Sequence, residues 1–162
     1  MATYKRSVRI EAPFEDVWEF HATGDGLVAL TPTWMHLQIE SERGPDGEPD
    51  PDALEAGSTV VSTIQPFGIG PRQRWVSEIV AREREDDYAM FRDEMAEGPF
   101  PRWVHTHSFY RDGAVTVVRD FVEYDLPGGP VGRVANPLAW IGLEPMFRHR
   151  HRKTKELLER AQ

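Results

Sequence analysis

Residues 102–125 contain two runs of alternating polarity joined by Asp112-Gly113, and this pattern constrains the fold more than any other part of the chain. Asp-Gly between alternating runs is a preferred two-residue β-hairpin turn. Such a turn fixes the pairing register, so we expect His105 to lie opposite Asp120. One face of this hairpin is then apolar and aromatic with a His–Asp pair inside it, and the other face is polar or mixed.

The rest of the chain predicts an α+β domain. Alternation over residues 4–11 indicates a half-buried first strand, and Pro13 is typical of the first turn of a helix. A second short helical turn is expected over 27–30, and helical spacing predicts a long helix from Val131 to Arg160. Further strands are expected at 34–42, 58–65, 73–83, 87–94, 102–111 and 114–125. This order predicts a helix lying on one face of a curved antiparallel sheet.

The chain of 162 residues is expected to form one domain, with residues 43–57 as an acidic surface loop rich in Pro and Gly. The formal net charge of −8 argues against a nucleic-acid partner, which would need a positive surface. The absence of cysteine excludes disulfides and thiolate metal sites. No apolar run is long enough for membrane insertion and no signal peptide is evident, so a cytoplasmic location is expected.

The hairpin histidines admit several interpretations. His105, His107 and Asp120 could satisfy one another's hydrogen bonds in a core, bind a ligand, or transfer protons with His105 as the base and Asp120 orienting it. His-x-His beside a carboxylate also resembles a two-His, one-carboxylate metal site. Because the sequence specifies no third ligand, we predict no metal and no cofactor.

The basic stretch RHRHRKTK, residues 148–155, is interpreted as a solvated face near the C-terminal end of the long helix, and His149 and His151 are assigned to it. Arg150 is the exception, because it falls on the apolar stripe with Phe147 and Thr154. An inward-facing arginine needs a carboxylate or a ligand anion, and Asp120 or Asp93 could supply that charge from the sheet.

The sequence resembles the START-like helix-grip superfamily, which includes birch-pollen-allergen-type proteins and polyketide cyclases. The resemblance covers nearly the whole chain and is carried by the order of VRIEAPFEDVWEF, WVSEI, FRDEMAEGPF, RWVHTHSF, RDFVEYDLPGGPVGRVANP and MFRHRH. It implies a seven-stranded antiparallel sheet around a long C-terminal helix, with a cavity between them. The acidic segment 43–57 and Pro145 depart from the usual pattern.

The resemblance implies that the hairpin and helix positions line the cavity and attaches no catalytic role to them. Together with the aromatic residues, it gives this expected ligand-binding set: Trp75, Trp103, His105, His107, Asp120, Tyr124, Phe147 and Arg150.

Three functions stay open at this point. The first is binding of a small hydrophobic or amphipathic molecule, such as a lipid, quinone or polyketide, in an apolar pocket. The second is a cyclase or dehydratase that uses His105 and Asp120 as an acid–base pair and Arg150 to bind an anion. The third is an interaction protein, for instance a homodimer. Ligand binding is the main prediction.

Overall fold

A computed structural model describes residues 1–159. Its strands form one antiparallel sheet in the order β1-β7-β6-β5-β4-β3-β2. The strands are β1 (Ala2–Ile10), β2 (Gln38–Arg43), β3 (Thr59–Ile64), β4 (Gln73–Arg84), β5 (Tyr88–Glu97), β6 (Arg102–Asp112) and β7 (Val115–Asp125). Register shifts between β2 and β3 and between β4 and β5 mark bulges, which bend the strands that carry them. The expected curved antiparallel sheet is confirmed.

The helices follow the expected order. They are α1 (Phe14–His21), α2 (Gly24–Leu30), α3 (Pro130–Ala135) and α4 (Trp140–Leu158), with short 3-10 turns at Thr33–Met35, Pro66–Gly68 and Asn136–Ala139. The long C-terminal helix packs on the sheet with Phe147 fully buried, and the ring centroids of Phe147 and Tyr4 lie 5.0 Å apart. The expected helix-grip arrangement, with two short helices after the first strand, is therefore confirmed.

The hairpin turn lies one residue further along the chain than predicted. Asp112 pairs with Val115, so the two-residue loop is Gly113-Ala114. Gly113 has a φ of 62°. Glycine at the first central position suits the type II′ turn, which needs a positive φ there and whose twist matches that of the flanking strands.

The predicted register is therefore wrong by one pair. Asp120 lies opposite His107, and His105 lies opposite Val122. The shift moves each residue by two positions along its partner strand, and the side-chain period of a strand is two, so the inward and outward faces stay as predicted. His105 and Asp120 become diagonal neighbours on the same face.

The predicted helix from Val131 onward is interrupted. Asn136 is the first residue of the 3-10 turn that follows α3, and its Oδ1 accepts the Leu126 N–H at 2.8 Å while its Nδ2 donates to Asp125 at 3.0 Å. The Asn136 side chain thus ties the junction between α3 and α4 to the end of β7. The predicted end of the helix at Arg160 lies outside the described residues.

The acidic segment 43–57 is largely exposed, but its second half is fixed to the domain. The Leu54 N–H donates to the Ala22 carbonyl at 2.9 Å, and the Gly57 N–H donates to the Ile79 carbonyl at 2.7 Å. Within residues 1–159, no helix combines the length and the apolar character needed to cross a membrane.

The apolar core has two parts. One lies under α1 and contains Phe14, Trp18 and Phe109, all nearly inaccessible. The other lies under α4 around Phe147 and Trp103. The hairpin residues between these two parts are polar, and they form the candidate site.

Candidate functional site

A cavity of about 150 Å³ lies between the sheet, α2 and α4. Most of its wall is apolar, with side chains contributed by the following residues: Leu27, Leu30, Met35, Leu37, Leu54, Val60, Ile64, Trp75, Ile79, Phe91, Trp103, Met146 and Phe147. Its charged or titratable lining side chains are His21, Asp93, His105, His107 and Arg150. The cavity is therefore an apolar chamber with a cluster of polar groups in one part of its wall.

Asp120 lies behind this wall at the centre of three imidazole rings. The His105 Nε2–H donates to its Oδ1 at 2.8 Å, and the His151 Nε2–H donates to its Oδ2 at 2.5 Å. His107 Nδ1 lies 3.1 Å from Oδ1. Burial would raise the pKa of Asp120, but the hydrogen bonds from His105, His107 and His151 hold it well below its ordinary value. Asp120 is therefore a buried carboxylate anion.

Asp93 supplies a second carboxylate from the neighbouring strand. It lies opposite His105 in the sheet, and its Oδ2 is 3.2 Å from His107 Nε2. Burial would raise the pKa of Asp93, but the hydrogen bond to His107 and the nearby His105 lower it. His107 thus lies between two anionic side chains.

The two hairpin histidines have pKa values shifted in opposite directions. Burial and the neighbouring His107 lower the pKa of His105, against the effect of Asp120. Burial would also lower the pKa of His107, but hydrogen bonds with Asp120 and Asp93 outweigh it and raise that pKa. Of the two hairpin histidines, His107 therefore binds a proton more readily than His105.

Arg150 faces the cavity from α4 and is the only arginine or lysine in the lining that the structure describes. Its guanidinium makes no hydrogen bond or ion pair within residues 1–159. Burial lowers the pKa of Arg150, and the charges of Asp120 and Asp93 act against this effect. Of the two alternatives that the sequence left open, direct pairing with Asp120 or Asp93 is therefore absent from the described residues, and a ligand anion stays a prediction. A half-buried guanidinium without a partner is suited to an anionic ligand.

His21, the last residue of α1, also lines the cavity. Its Nδ1–H donates to the Val17 carbonyl at 2.7 Å. Burial lowers its pKa to about 3, so the ring is neutral. It adds a neutral polar group to the wall that Arg150 and His107 share.

The structure brings most of the predicted site residues together. Six of them line the cavity: Trp75, Trp103, His105, His107, Phe147 and Arg150. Asp120 is outside the lining because the histidine rings cover it. Tyr124 is also outside, since its ring is buried beside Trp103 and its hydroxyl donates to the Asn136 carbonyl at 3.0 Å.

The prediction that His151 lies on the solvated face of the long helix is wrong. The residue is 4% exposed and bonded to Asp120, while His149 does lie away from the core. The sequence spacing is consistent with this position, because His151 follows Phe147 by four residues and so lies on the same side of the helix. Arg150 and His151 both face inward, toward different parts of the cluster.

Solved structures with the same architecture extend over nearly the whole chain. TTHA0849 from Thermus thermophilus matches with a TM-score of 0.64 at 20% identity, covering 99% of each chain. A norcoclaurine synthase point mutant from Thalictrum flavum, solved with a transition-state analogue, matches with a TM-score of 0.68 at 15% identity, covering 99% of this chain and 96% of that one. This chain has the START-like helix-grip fold. Protein Ms6760 from Mycobacterium smegmatis is also similar, with a TM-score of 0.66 at 16% identity and coverage of 99% and 92%.

No protein-family model matches the sequence, and the search of curated proteins gives no match. At identities of 20% or less, the similarity of these helix-grip structures concerns the fold and not the activity. The function must therefore be argued from the cavity itself.

Proposed function

We propose that this protein binds a small amphipathic molecule in the cavity between the sheet and α4. The observation that carries the proposal is the division of the cavity wall into a large apolar part and a compact polar part. Specific small-molecule sites commonly combine apolar walls with a few placed polar groups that fix the orientation of the ligand.

The polar part indicates which end of the ligand it receives. Among the described residues 1–159, Arg150 has no hydrogen-bond or ion-pair partner, and the pKa of His107 is raised by its hydrogen bonds with Asp120 and Asp93. Both groups favour a negatively polarised oxygen, such as a carboxylate, phenolate or quinone oxygen. The apolar body of the ligand would then lie against Trp75 and Leu30.

The cavity volume favours a compact ligand. About 150 Å³ is the size of a cavity that accommodates a molecule like benzene. Among the expected ligand classes, the ring of a quinone or of a polyketide-like compound therefore fits better than a lipid with two acyl chains. A longer ligand would place one ring inside and the remainder at the mouth.

A matched pair of substitutions on α2 tests the proposal. Leu27 lines the cavity, whereas the adjacent Val28 is exposed. Leu27→Trp should fill the cavity and abolish the rise in Tm produced by a binding quinone or phenolic carboxylate, and Val28→Trp should retain it. A ligand at 100 times its Kd stabilises the wild type by about 2.7 kcal/mol. Equal responses in both variants, or no response of the wild type to any compound in a panel of lipids, quinones and aromatic polyketides, would contradict cavity binding.

An enzyme of the cyclase or dehydratase type is the second candidate. The observation that favours it is the 2.8 Å hydrogen bond between His105 Nε2 and Asp120, with the His105 ring exposed to the cavity. A carboxylate that orients an imidazole is the arrangement used in general acid–base catalysis. Arg150 would stabilise developing negative charge on the substrate.

Chemical conversion of the bound compound separates the two candidates. Ligands that stabilise the protein are incubated with it and analysed by mass spectrometry for loss of water or a change of chromatographic mobility. His105→Gln should abolish conversion while leaving the unfolding midpoint of the ligand-free protein close to that of the wild type. Recovery of every stabilising ligand unchanged would count against the enzyme and leave the binding function.

A further inference from the structure

We propose that Asp93, His105 and His107 form a binding site for one divalent first-row transition-metal ion. Each residue offers one ligand atom, and the three atoms lie within 4.8 Å of one another. Two imidazoles and one carboxylate are a donor set that such ions bind. The sequence did not predict this site, because the third ligand comes from β5, which the hairpin pattern does not include.

The spacing of the donor atoms suits direct coordination. Donors at about 2.0–2.2 Å from a metal ion lie roughly 3.0–3.5 Å from one another. Asp93 Oδ2 is 3.2 Å from His107 Nε2 and 3.9 Å from His105 Nδ1. Coordination therefore requires the His105 ring to move closer to Asp93 than in this structure.

Asp120 lies on the opposite side of both imidazoles and is hydrogen-bonded to His105. His105 Nε2 and His107 Nδ1 lie 2.8 and 3.1 Å from its Oδ1, so each ring has one nitrogen toward Asp120 and its other nitrogen toward Asp93. Metal-binding histidines commonly donate their second N–H to a carboxylate, which fixes the tautomer and the ring orientation. Asp120 is therefore a positioning residue rather than a ligand.

The charges around the site also favour a cation. The carboxylates of Asp93 and Asp120 are both largely buried, at 14% and 4% side-chain exposure. Arg150 is the nearest permanent cation in the cavity wall, and it makes no ion pair with either carboxylate within residues 1–159. With His105 and His107 neutral, as metal ligands must be, a divalent ion would balance the charges of the two buried carboxylates.

The three ligands leave coordination positions open toward the cavity. All three residues line it, so a water molecule or an oxygen of a bound ligand can complete the coordination. The site is independent of the proposed organic ligand, because metal binding can be measured without one. Failure of one proposal therefore does not decide the other.

Titration of the whole protein with Co²⁺ tests the site. We expect visible absorption bands that saturate at one Co²⁺ per chain and are displaced by Zn²⁺. Asp93→Asn and His107→Gln should abolish the bands, and Asp120→Asn should weaken Co²⁺ binding about 10–100-fold. His36→Gln is the control, since His36 is exposed and outside the cluster, and it should leave binding unchanged.

Circular dichroism spectra of each variant are compared with that of the wild type to test whether the variant is folded. Co²⁺ bands that persist in folded Asp93→Asn and His107→Gln, or that vanish in His36→Gln, would overturn the assignment. X-ray absorption of the Zn²⁺-loaded wild type provides a test without substitutions. Two imidazole nitrogens and additional oxygen donors are expected. A coordination shell without imidazole, or the absence of stoichiometric binding, would overturn the proposal.

Discussion

At the scale of single residues, Asp120 holds the polar cluster together. Its carboxylate accepts hydrogen bonds from His105 and His151, and it is 3% exposed. Removing Asp120 leaves the buried N–H groups of His105 and His151 without an acceptor, at about 1–3 kcal/mol each and so about 2–6 kcal/mol together. We therefore expect Asp120→Ala to lower the free energy of unfolding by about this amount in urea titrations.

Glu123 on the same strand is the matched control. It faces the other side of β7, and its partner Arg102 lies 3.8 Å away with both side chains partly exposed. Such surface pairs contribute about 0–1 kcal/mol, so Glu123→Ala should stay within that range. Similar losses for both variants would show that Asp120 has no special structural role.

His21 predicts a pH dependence of stability. Its pKa is lowered to about 3 by burial, against an ordinary value of 6.5, so between these values the unfolded chain binds more protons than the folded one. The contribution of neutral His21 to the free energy of unfolding is complete above pH 6.5. It is lost as the pH falls toward 3, by at most about 1.4 kcal/mol per pH unit.

His21→Gln isolates this contribution, because glutamine retains an N–H donor and does not titrate. The free energy of unfolding, measured between pH 7 and pH 4, should fall less steeply in the variant than in the wild type. The pKa of His105 is also lowered, but His105 is present in both the wild type and the variant. Its effect on the free energy of unfolding therefore cancels when the two pH dependences are subtracted. Identical slopes would contradict a buried neutral His21.

At the scale of secondary structure elements, the hairpin shows what sequence patterns determine. Alternation assigned each residue of β6 and β7 to the correct face, because strand periodicity is a local property. The register depended on which residues form the turn, and both Asp112-Gly113 and Gly113-Ala114 place the glycine centrally. Only the position of the positive φ distinguishes them. Short-range sequence therefore predicted the cluster but not its exact pairing.

Long-range contacts account for the other differences. Asp93 reaches His105 only because β5 pairs with β6, and nothing in the hairpin indicates which residue of β5 lies opposite. His151 turns inward because α4 is rotated so that Leu143, Phe147 and His151 are buried together. Helical spacing identified the stripe, but a stripe centred on Arg150 and one centred on His151 differ by a rotation that packing decides.

The two helical glycines of the C-terminal segment give opposite predictions. A Cβ at Gly142 in α4 meets no atom within 4 Å, whereas at Gly132 in α3 it lies 2.3 Å from the Pro127 carbonyl oxygen. Gly142→Ala should stabilise the protein by about 0.5–1 kcal/mol through helix propensity. Gly132→Ala should destabilise it because the backbone must move. Thermal unfolding of both variants measures this, and a loss of stability in Gly142→Ala would contradict the packing described for α4.

At the scale of the whole molecule, the packing of α4 on the curved sheet produces both the fold and the cavity. Strand alternation, turn residues and the helical stripe predicted the layers, and packing α4 on the curved sheet leaves a chamber beside Phe147 that its neighbours do not fill. The chemistry of that chamber depends on side chains from β5, β6, β7 and α4. This is why the fold could be predicted from the sequence while the composition of the candidate site could be predicted only in part.

The central claim is that this chamber holds a small amphipathic molecule, and comparison of native and denatured masses tests it most directly. Protein purified gently, without organic solvent, should carry an additional mass of a few hundred daltons or less that is lost on denaturation and is absent from Leu27→Trp. Extraction then identifies the compound, which we expect to contain a ring and an anionic or quinone oxygen. A wild-type native mass equal to that of the chain alone, both as purified and after incubation with the ligand panel, would contradict the claim.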